Sequence, residues 1–275
     1  MTKKLFDLTN KVVIITGATG LLGRKHTEAV ASCGAHPVLL DLDQDTIDDF
    51  VLQIKKKYSV NPTGFAIDIS NEADVKNCAD KIFKIYDKID ALINNAANNP
   101  KVEDTGNLNF SRLENFTLKS WNDDIAVGLT GSFLCCKYFG SLIARNSNGG
   151  CIVNISSDLG LIAPDQRLYM REGLPDCQQN VKPVTYSVIK SGLIGLTRYM
   201  STYWPQKNVR CNAICPGGVE NGQPDSFLND INFRIPLGRM AKADEYQSTV
   251  VWMISDSSSY LNGSIIAVDG GRTTW

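Results

Sequence analysis

The stretch Val12 to Gly23 reads VVIITGATGLLG, and its reading decides the fold. Residues 12–16 form an unbroken, largely β-branched run of strand length, and the lack of apolar/polar alternation implies burial on both faces. Gly17, Gly20 and Gly23 follow at GxxGxxG spacing, and helical periodicity sets in from there. A buried strand that runs straight into a glycine turn and then a helix opens a parallel α/β sheet.

Six more apolar runs of strand length lie downstream, at residues 37–40, 65–67, 91–94, 152–155, 209–214 and 265–268. Segments with helical periodicity separate them, among them 23–33, 72–86, 121–143 and 186–203. This alternation predicts one Rossmann-like, doubly wound α/β domain over residues 1–275, with about seven parallel strands and helices on both faces. No Pro/Ser/Gly-rich linker, internal repeat or composition shift divides the chain.

With 275 residues, 43% hydrophobic and 21% charged, the chain reads as a soluble globular protein. A formal net charge of -1 and scattered basic residues leave no electrostatic footprint for nucleic acid; the run Lys55, Lys56, Lys57 reads as a solvated helix end. The opening MTKKLFDLTNK lacks the apolar stretch of a signal peptide, and no run nears the roughly 18 apolar residues of a membrane span, so a cytoplasmic location and no membrane partner are expected. The eight cysteines show no CxxC pair and only His26 and His36 accompany them, which argues against zinc. Most sit in apolar surroundings, where a free thiol acts as a small core hydrophobe.

Glycines at a strand-to-helix turn allow close backbone approach and leave amide donors beside a positive helix end, which is what a dinucleotide pyrophosphate needs. The next strand ends in Asp41. A carboxylate there can accept from both hydroxyls of an adenosine ribose and repels a 2′-phosphate, so NAD(H) is the expected cofactor. For an isolated Asp, merely beginning a turn would be the better reading, but that reading loses weight after the preceding glycine turn.

Tyr186 and Lys190 stand four apart and share one face of a helix. A phenol titrates near pH 10, and a neighbouring ammonium favours the phenolate, so the pair suits acid/base chemistry.

Taken with DIS at residues 68–70, NNAA at 94–97, NISS at 154–157, YSVIK at 186–190, CPGGV at 215–219 and VDGG at 268–271, the chain resembles the short-chain dehydrogenase/reductase family over nearly its whole length. The resemblance implies an oxidoreductase in which Tyr186 is the acid/base, Ser157 holds the reacting oxygen with Ser156 as the second candidate, and Lys190 also binds the nicotinamide ribose. It implies further that Gly17, Thr19, Gly20, Leu22, Gly23, Asp41, Asp68, Ile69, Asn94, Ala96, Pro216, Gly217 and Val219 hold the cofactor. Asp68 would contact the adenine, and Asn94 would brace the sheet. A homo-oligomer, dimer or tetramer, packed through the 121–143 and 186–203 helices is also implied. The segment IPLGRMA at 235–241 and the long insertion weakly resemble bacterial flagellin-modification oxidoreductases.

Several positions depart from the family pattern. Leu21 replaces the usual middle glycine, a spacing shared with the extended branch that includes nucleotide-sugar epimerases; Ala97 replaces glycine; Asn221 replaces threonine. Gly128 stands where the family typically has an Asn that completes a proton relay, leaving only its carbonyl to hold a water. The expected covering loop, residues 220–235, is rich in Asn, Asp and Gln, which points to a small polar, sugar-like substrate; alternatively those side chains face water. Ser157 and Tyr186 are 29 positions apart, longer than the family gap, and the added segment 163–183 carries Arg167 and Arg171 as candidate contacts for an anionic substrate group. Ion pairing with Asp165 or Glu172 is the competing reading. A nucleotide-sugar epimerase or dehydratase with tightly held NAD, or a dinucleotide-sensing protein without turnover, are the alternative functions.

Overall fold

Successive residues of the strands feed opposite layers. Val13 and Ile15 pack with Leu39, Ala91 and Val153 on one face of the sheet, while Val12 and Ile14 pack with Leu40, Leu92 and Ile152 on the other. The computed structural model, which describes residues 5–98 and 111–275, thereby bears out the reading of strands buried on both sides for the central strands, while the two edge strands are only partly buried. The first four residues of the N-terminal stretch lie outside the described residues.

Seven strands form one parallel sheet: β1 (Val12–Thr16), β2 (His36–Asp41), β3 (Thr63–Ala66), β4 (Ala91–Asn94), β5 (Gly150–Ile155), β6 (Val209–Pro216) and β7 (Ile265–Val268). Their order is β3-β2-β1-β4-β5-β6-β7. The chain winds outward from β1 in one direction, then returns to lay β4 on its other side. The carboxyl ends of β1 and β4 therefore border the crevice where such sheets take ligands.

Helices α1 (Leu21–Ser32), α2 (Gln44–Lys57) and α8 (Gln247–Ile254) cover one face; α3 (Glu72–Tyr86), α5 (Ser132–Ile143) and α6 (Val184–Tyr203) cover the other. Among the described residues the remaining α-helices are α4 (Leu118–Ile125) and α7 (Asp225–Asn232). Local chemistry sets the helix ends. Asp43 caps α2 by accepting from the Thr46 amide at 2.8 Å, and Lys55, Lys56 and Lys57 close it beside the negative end of its dipole. Asn71 caps α3 through the Ala73 amide at 2.9 Å. Helix α1 begins after Gly20, which brings no side-chain cap, so its first amides remain available to a ligand.

Helices α4 and α5 are joined by a π-helical segment, Ala126–Gly131, into one run, Leu118–Ile143. Among the described residues it is the one helix long and apolar enough to cross a membrane. Its apolar side, including Leu134, Cys135 and Phe139, packs against the sheet and α3. Cys78, Cys135, Cys136, Cys151, Cys211 and Cys215 are buried, Cys177 is exposed, and none is paired in a disulfide.

Candidate active site

A cavity of about 780 Å³ runs along the carboxyl ends of the strands, from the glycine turn to the start of α6. The turn is held by backbone geometry. Gly17 has φ +62°, where L side chains are strained, and a Cβ there would meet Ala96 Cα at 2.8 Å. The loop after β4 clamps it: the amides of Asn95 and Ala96 both donate to Thr16 Oγ1 at 3.0 Å, and Asn95 Nδ2 donates to the Gly17 carbonyl at 3.1 Å. Gly23 serves packing instead, since a Cβ there would stand 2.0 Å from the Gly17 carbonyl oxygen.

Asp41 lies at the end of β2 on the cavity wall. Its Oδ2 accepts from the Thr19 amide at 2.9 Å and the Thr19 hydroxyl at 2.6 Å, and its Oδ1 accepts from the Leu42 amide at 2.9 Å. The carboxylate is thus oriented by the turn. Arg24, in the first turn of α1, donates to the Thr19 carbonyl and lays its guanidinium over Phe50, 4.5 Å from the ring centre. Asp68 and Ile69 line the same end.

The other end brings together the residues expected to carry the acid/base chemistry. Tyr186 projects from the first turns of α6 into the cavity, as do Ser157 from the loop after β5 and Lys190 one turn further along α6. Lys190 Nζ donates to the Ile155 carbonyl at 2.8 Å and sits 5.7 Å from the Tyr186 ring centre. Burial pushes the Lys190 ammonium down to about 8, with Lys182 adding repulsion. Burial also raises the Tyr186 phenol above its ordinary value, while a hydrogen bond with Ser157 opposes the shift. The expectation of a phenol already lowered by its lysine is therefore reversed in the free protein, because desolvation of the phenolate dominates. Ser156 is structural: its hydroxyl donates to the Lys190 carbonyl at 2.7 Å.

Not every residue singled out from sequence reaches the cavity. Thr19, Gly20, Leu22, Ala96, Pro216, Gly217 and Val219 do. Asn94 does not; it is buried behind the wall, where its amide donates to Asn154 Oδ1 at 2.8 Å, a bracing role. Arg167 and Arg171 also lie outside it. The Arg167 guanidinium makes two 2.8 Å bonds to Asp165 and is 76% exposed, as the ion-pair alternative expected. Its hydrogen bond holds the Asp165 carboxyl well below the usual range, and Arg234 contributes from the end of the covering segment. Arg171 is exposed, and its backbone is fastened to the Gln179 side chain at 2.7 and 2.9 Å.

The covering segment also differs from its sequence reading. Asn221 and Gln223 line the cavity, but Asp225, Asn229 and Asp230 are exposed, and α7 turns Phe227 and Ile231 inward with Leu168 and Met240. Amphipathic periodicity puts its apolar face inward and its polar face in water. Gly128 leaves no room for the family's Asn: a Cβ there would meet Ile189 Cγ2 at 2.7 Å. The Gly128 carbonyl accepts from the Ser132 hydroxyl at 3.0 Å.

Three residues that sequence reasoning did not assign to the site complete it. Asp158, next to Ser157, accepts from the Ser157 hydroxyl at 2.7 Å and forms a buried ion pair with Arg272 at 2.7 Å. Lys182 lays its ammonium 3.9 Å from the centre of the Tyr186 ring. Lys182 stands four residues before Tyr186, as Lys190 stands four after, and that symmetry was the available signal. No local pattern announced the Asp158–Arg272 pair.

Comparison with known proteins gives a consistent result. The short chain dehydrogenase profile matches residues 11–169, and the Enoyl-(Acyl carrier protein) reductase profile matches residues 176–273. The D-threitol dehydrogenase of Mycolicibacterium smegmatis is 29% identical over 273 residues, covering 98% of this chain and 95% of that protein. The NADP-dependent mannitol dehydrogenase of Alternaria alternata is 32% identical over 277 residues, covering 98% and 94%. Among solved structures, a gluconate 5-dehydrogenase from Burkholderia cenocepacia in complex with NADP and tartrate superposes with a TM-score of 0.85 at 22% identity over 98% of each chain, a likeness of fold.

Proposed function

The chain belongs to the short-chain dehydrogenase family, and on that premise we propose that it interconverts an alcohol and a carbonyl on a small polyol or sugar-like substrate with NAD(H). One observation carries the reading. Ser157, Tyr186 and Lys190 face one end of a cavity whose other end is a glycine turn with an oriented Asp41.

The cofactor is inferred from fit. A glycine turn that admits no Cβ at Gly17 and an α1 N-terminus with no side-chain cap suit a pyrophosphate, and Asp41 suits an unphosphorylated ribose. Leu42 offers no cation to a 2′-phosphate, and the Arg24 guanidinium is engaged with Thr19 and Phe50. NAD(H) is thus preferred, in contrast to the mannitol dehydrogenase relative. A bound nicotinamide supplies the hydride acceptor or donor.

In this chain the Ser157 hydroxyl holds the substrate oxygen and the Tyr186 hydroxyl moves its proton. In the reductive direction Tyr186 gives its proton to the developing alkoxide; in the oxidative direction the phenolate takes it back. Burial favours the neutral phenol, so Tyr186 is poised as a donor at neutral pH, and oxidation gains as pH rises. Lys190 steadies the phenolate and orients the ribose. The exposed Phe133, Tyr199 and Tyr203 on α5 and α6 suit a homo-oligomer formed through these helices.

Initial rates with D-threitol and D-mannitol, each with NAD and NADP, test the reading. The expected result is turnover of at least one polyol, with kcat/KM for NAD about tenfold or more above NADP. Equal use of both cofactors defeats the NAD assignment. Redox-neutral isomerisation with retained cofactor would favour the epimerase alternative.

A further inference from the structure

The loop after β5 places a carboxylate beside Ser157, and the hydrogen bonds around it run in one direction only. Asp158 is 3% exposed and is ringed by donors. Arg272 Nη1 donates to its Oδ2 at 2.7 Å, while the Leu159 amide at 2.8 Å and the Ser157 hydroxyl at 2.7 Å both donate to its Oδ1. A guanidinium and an amide cannot reverse these roles, so the carboxylate is pinned as an acceptor.

A serine hydroxyl has one proton. In Ser157 that proton points at Asp158, and the Leu159 amide donates to the Ser157 oxygen at 3.2 Å. Toward its other neighbour, the Tyr186 phenol, Ser157 is left with an acceptor lone pair. Donation therefore runs from Tyr186 to Ser157 to Asp158, with the Arg272 cation behind the carboxylate. This order suits a phenol and opposes a phenolate. Once Tyr186 has given up its proton, its oxygen needs a donor, and Ser157 becomes one only by swinging its proton away from a charged acceptor. A hydrogen bond to a charged group is stronger than one between neutral groups, so that swing is unfavourable.

We propose that Asp158, fixed by Arg272, is a positioning residue that claims the Ser157 proton and so keeps Tyr186 in its proton-bearing form, setting the site to donate to a carbonyl and deferring alcohol oxidation to higher pH. The proposal rests on the dehydrogenase reading and adds how its proton step is regulated. The upward shift of the Tyr186 phenol, to which burial contributes most and Asp158 adds repulsion, agrees in sign.

Other groups share the chamber. Among the described residues Lys182 and Lys190 face the Tyr186 ring, Tyr169 acts on both Tyr186 and Asp158, and Cys215 and Tyr246 face Asp158. Burial pushes Tyr169, Tyr246 and Cys215 up, so these three stay neutral at pH 7. It pushes Lys182 and Lys190 down to about 8, and Asp158 favours the charged form of Lys182. Removing Asp158 thus lets Lys182 lose its charge sooner, which would raise the phenol. That influence opposes the shift expected below and cannot be its source.

The test is the titration of Tyr186 itself. Protein labelled with carbon-13 at tyrosine Cζ reports the ionisation of each phenol by NMR, and Tyr186→Phe identifies the resonance. Asp158→Asn is expected to lower the Tyr186 midpoint by about one pH unit, and the pH at which kcat/KM for polyol oxidation levels off should fall with it. In a Ser157→Ala background the same replacement should move the midpoint no more than about a third as far, because the carboxylate then has no serine proton to withhold. Asp158→Leu combined with Arg272→Met removes acceptor and cation together, leaves the net charge unchanged and fills the space with apolar side chains. It should still lower the midpoint, by about half a unit, and it supplies the reading if Asp158→Asn does not fold.

Equal shifts with and without Ser157 would reveal a bare charge effect and overturn the positioning role. So would an unchanged midpoint in either carboxylate variant. D-threitol and D-mannitol serve as the turnover probes. A Ser157-dependent shift without oxidation of either probe would keep the order of donation and defeat the dehydrogenase reading. Oxidation of a probe with no such shift would do the reverse, and neither shift nor turnover would defeat both.

Discussion

The two ends of the cavity are built by different means. At the glycine turn, the contacts that set the shape are largely made to the main chain: Gly17 in a left-handed conformation against Ala96, the Asn95 and Ala96 amides on Thr16, the Thr19 amide on Asp41. At the catalytic end, side chains from separate segments meet, with Asp158 bound to Arg272 and Lys182 on Tyr186. The first arrangement takes its shape from backbone geometry and changes little with side-chain identity. The second can be retuned for a new substrate by single replacements, at the cost of burying charges that depend on one another.

On this division, the largest effect is expected at the side chain proposed to move the proton. Tyr186→Phe is expected to lower kcat by roughly 10²–10⁴ while NADH affinity, measured by fluorescence titration, stays within about twofold. Comparable loss of NADH binding would mean that the two ends are not separable.

Next in size is the buried ion pair. Arg272→Met leaves Asp158 without its cation in a site only 4% exposed on the carboxylate side, and should destabilise the protein by roughly 3 kcal/mol. Chemical denaturation would show it as a lower midpoint at unchanged slope. A change of less than about 1 kcal/mol would show that the pair is a specificity device with little structural role.

A smaller change is expected at the cofactor end, where Asp41→Ala should narrow the preference for NAD over NADP by about tenfold, consistent with loss of a charged hydrogen bond. Steady-state kinetics with both cofactors at one substrate concentration measures it. An unchanged ratio would shift discrimination to the main chain of the turn.

The smallest effect belongs to the arginines that face away. Arg167→Ala and Arg171→Ala should each leave KM for every probe within about twofold, since Arg167 is 76% exposed on a local ion pair and neither lines the cavity. A tenfold rise in KM for an anionic substrate would return them to the site.

The sheet, the glycine turn, Asp41 and the Tyr186/Lys190 pair were legible in the sequence because each is encoded locally. Strands buried on both faces appear as continuous apolar runs, a turn that admits no Cβ appears as glycine, and a shared helical face appears as a spacing of four. The inner face of α7 was misread because counting polar residues ignores which side of a short helix they occupy, and periodicity puts Phe227 and Ile231 inward. The raised phenol of Tyr186 was missed because a neighbour in sequence reports a charge but not the desolvation that outweighs it.

The sequence by itself determined the α/β class and the family, and it supplied the residues now proposed to hold the cofactor and to transfer the proton. Only the tertiary structure decided which charges face the cavity. Asp158 and Arg272 are 114 positions apart, and Arg167 and Lys182 belong to one segment yet point to solvent and to the cavity respectively. The reason is physical. Backbone periodicity and steric rules act over a few residues, whereas the pairing of buried charges is set by how distant loops converge on a sheet edge.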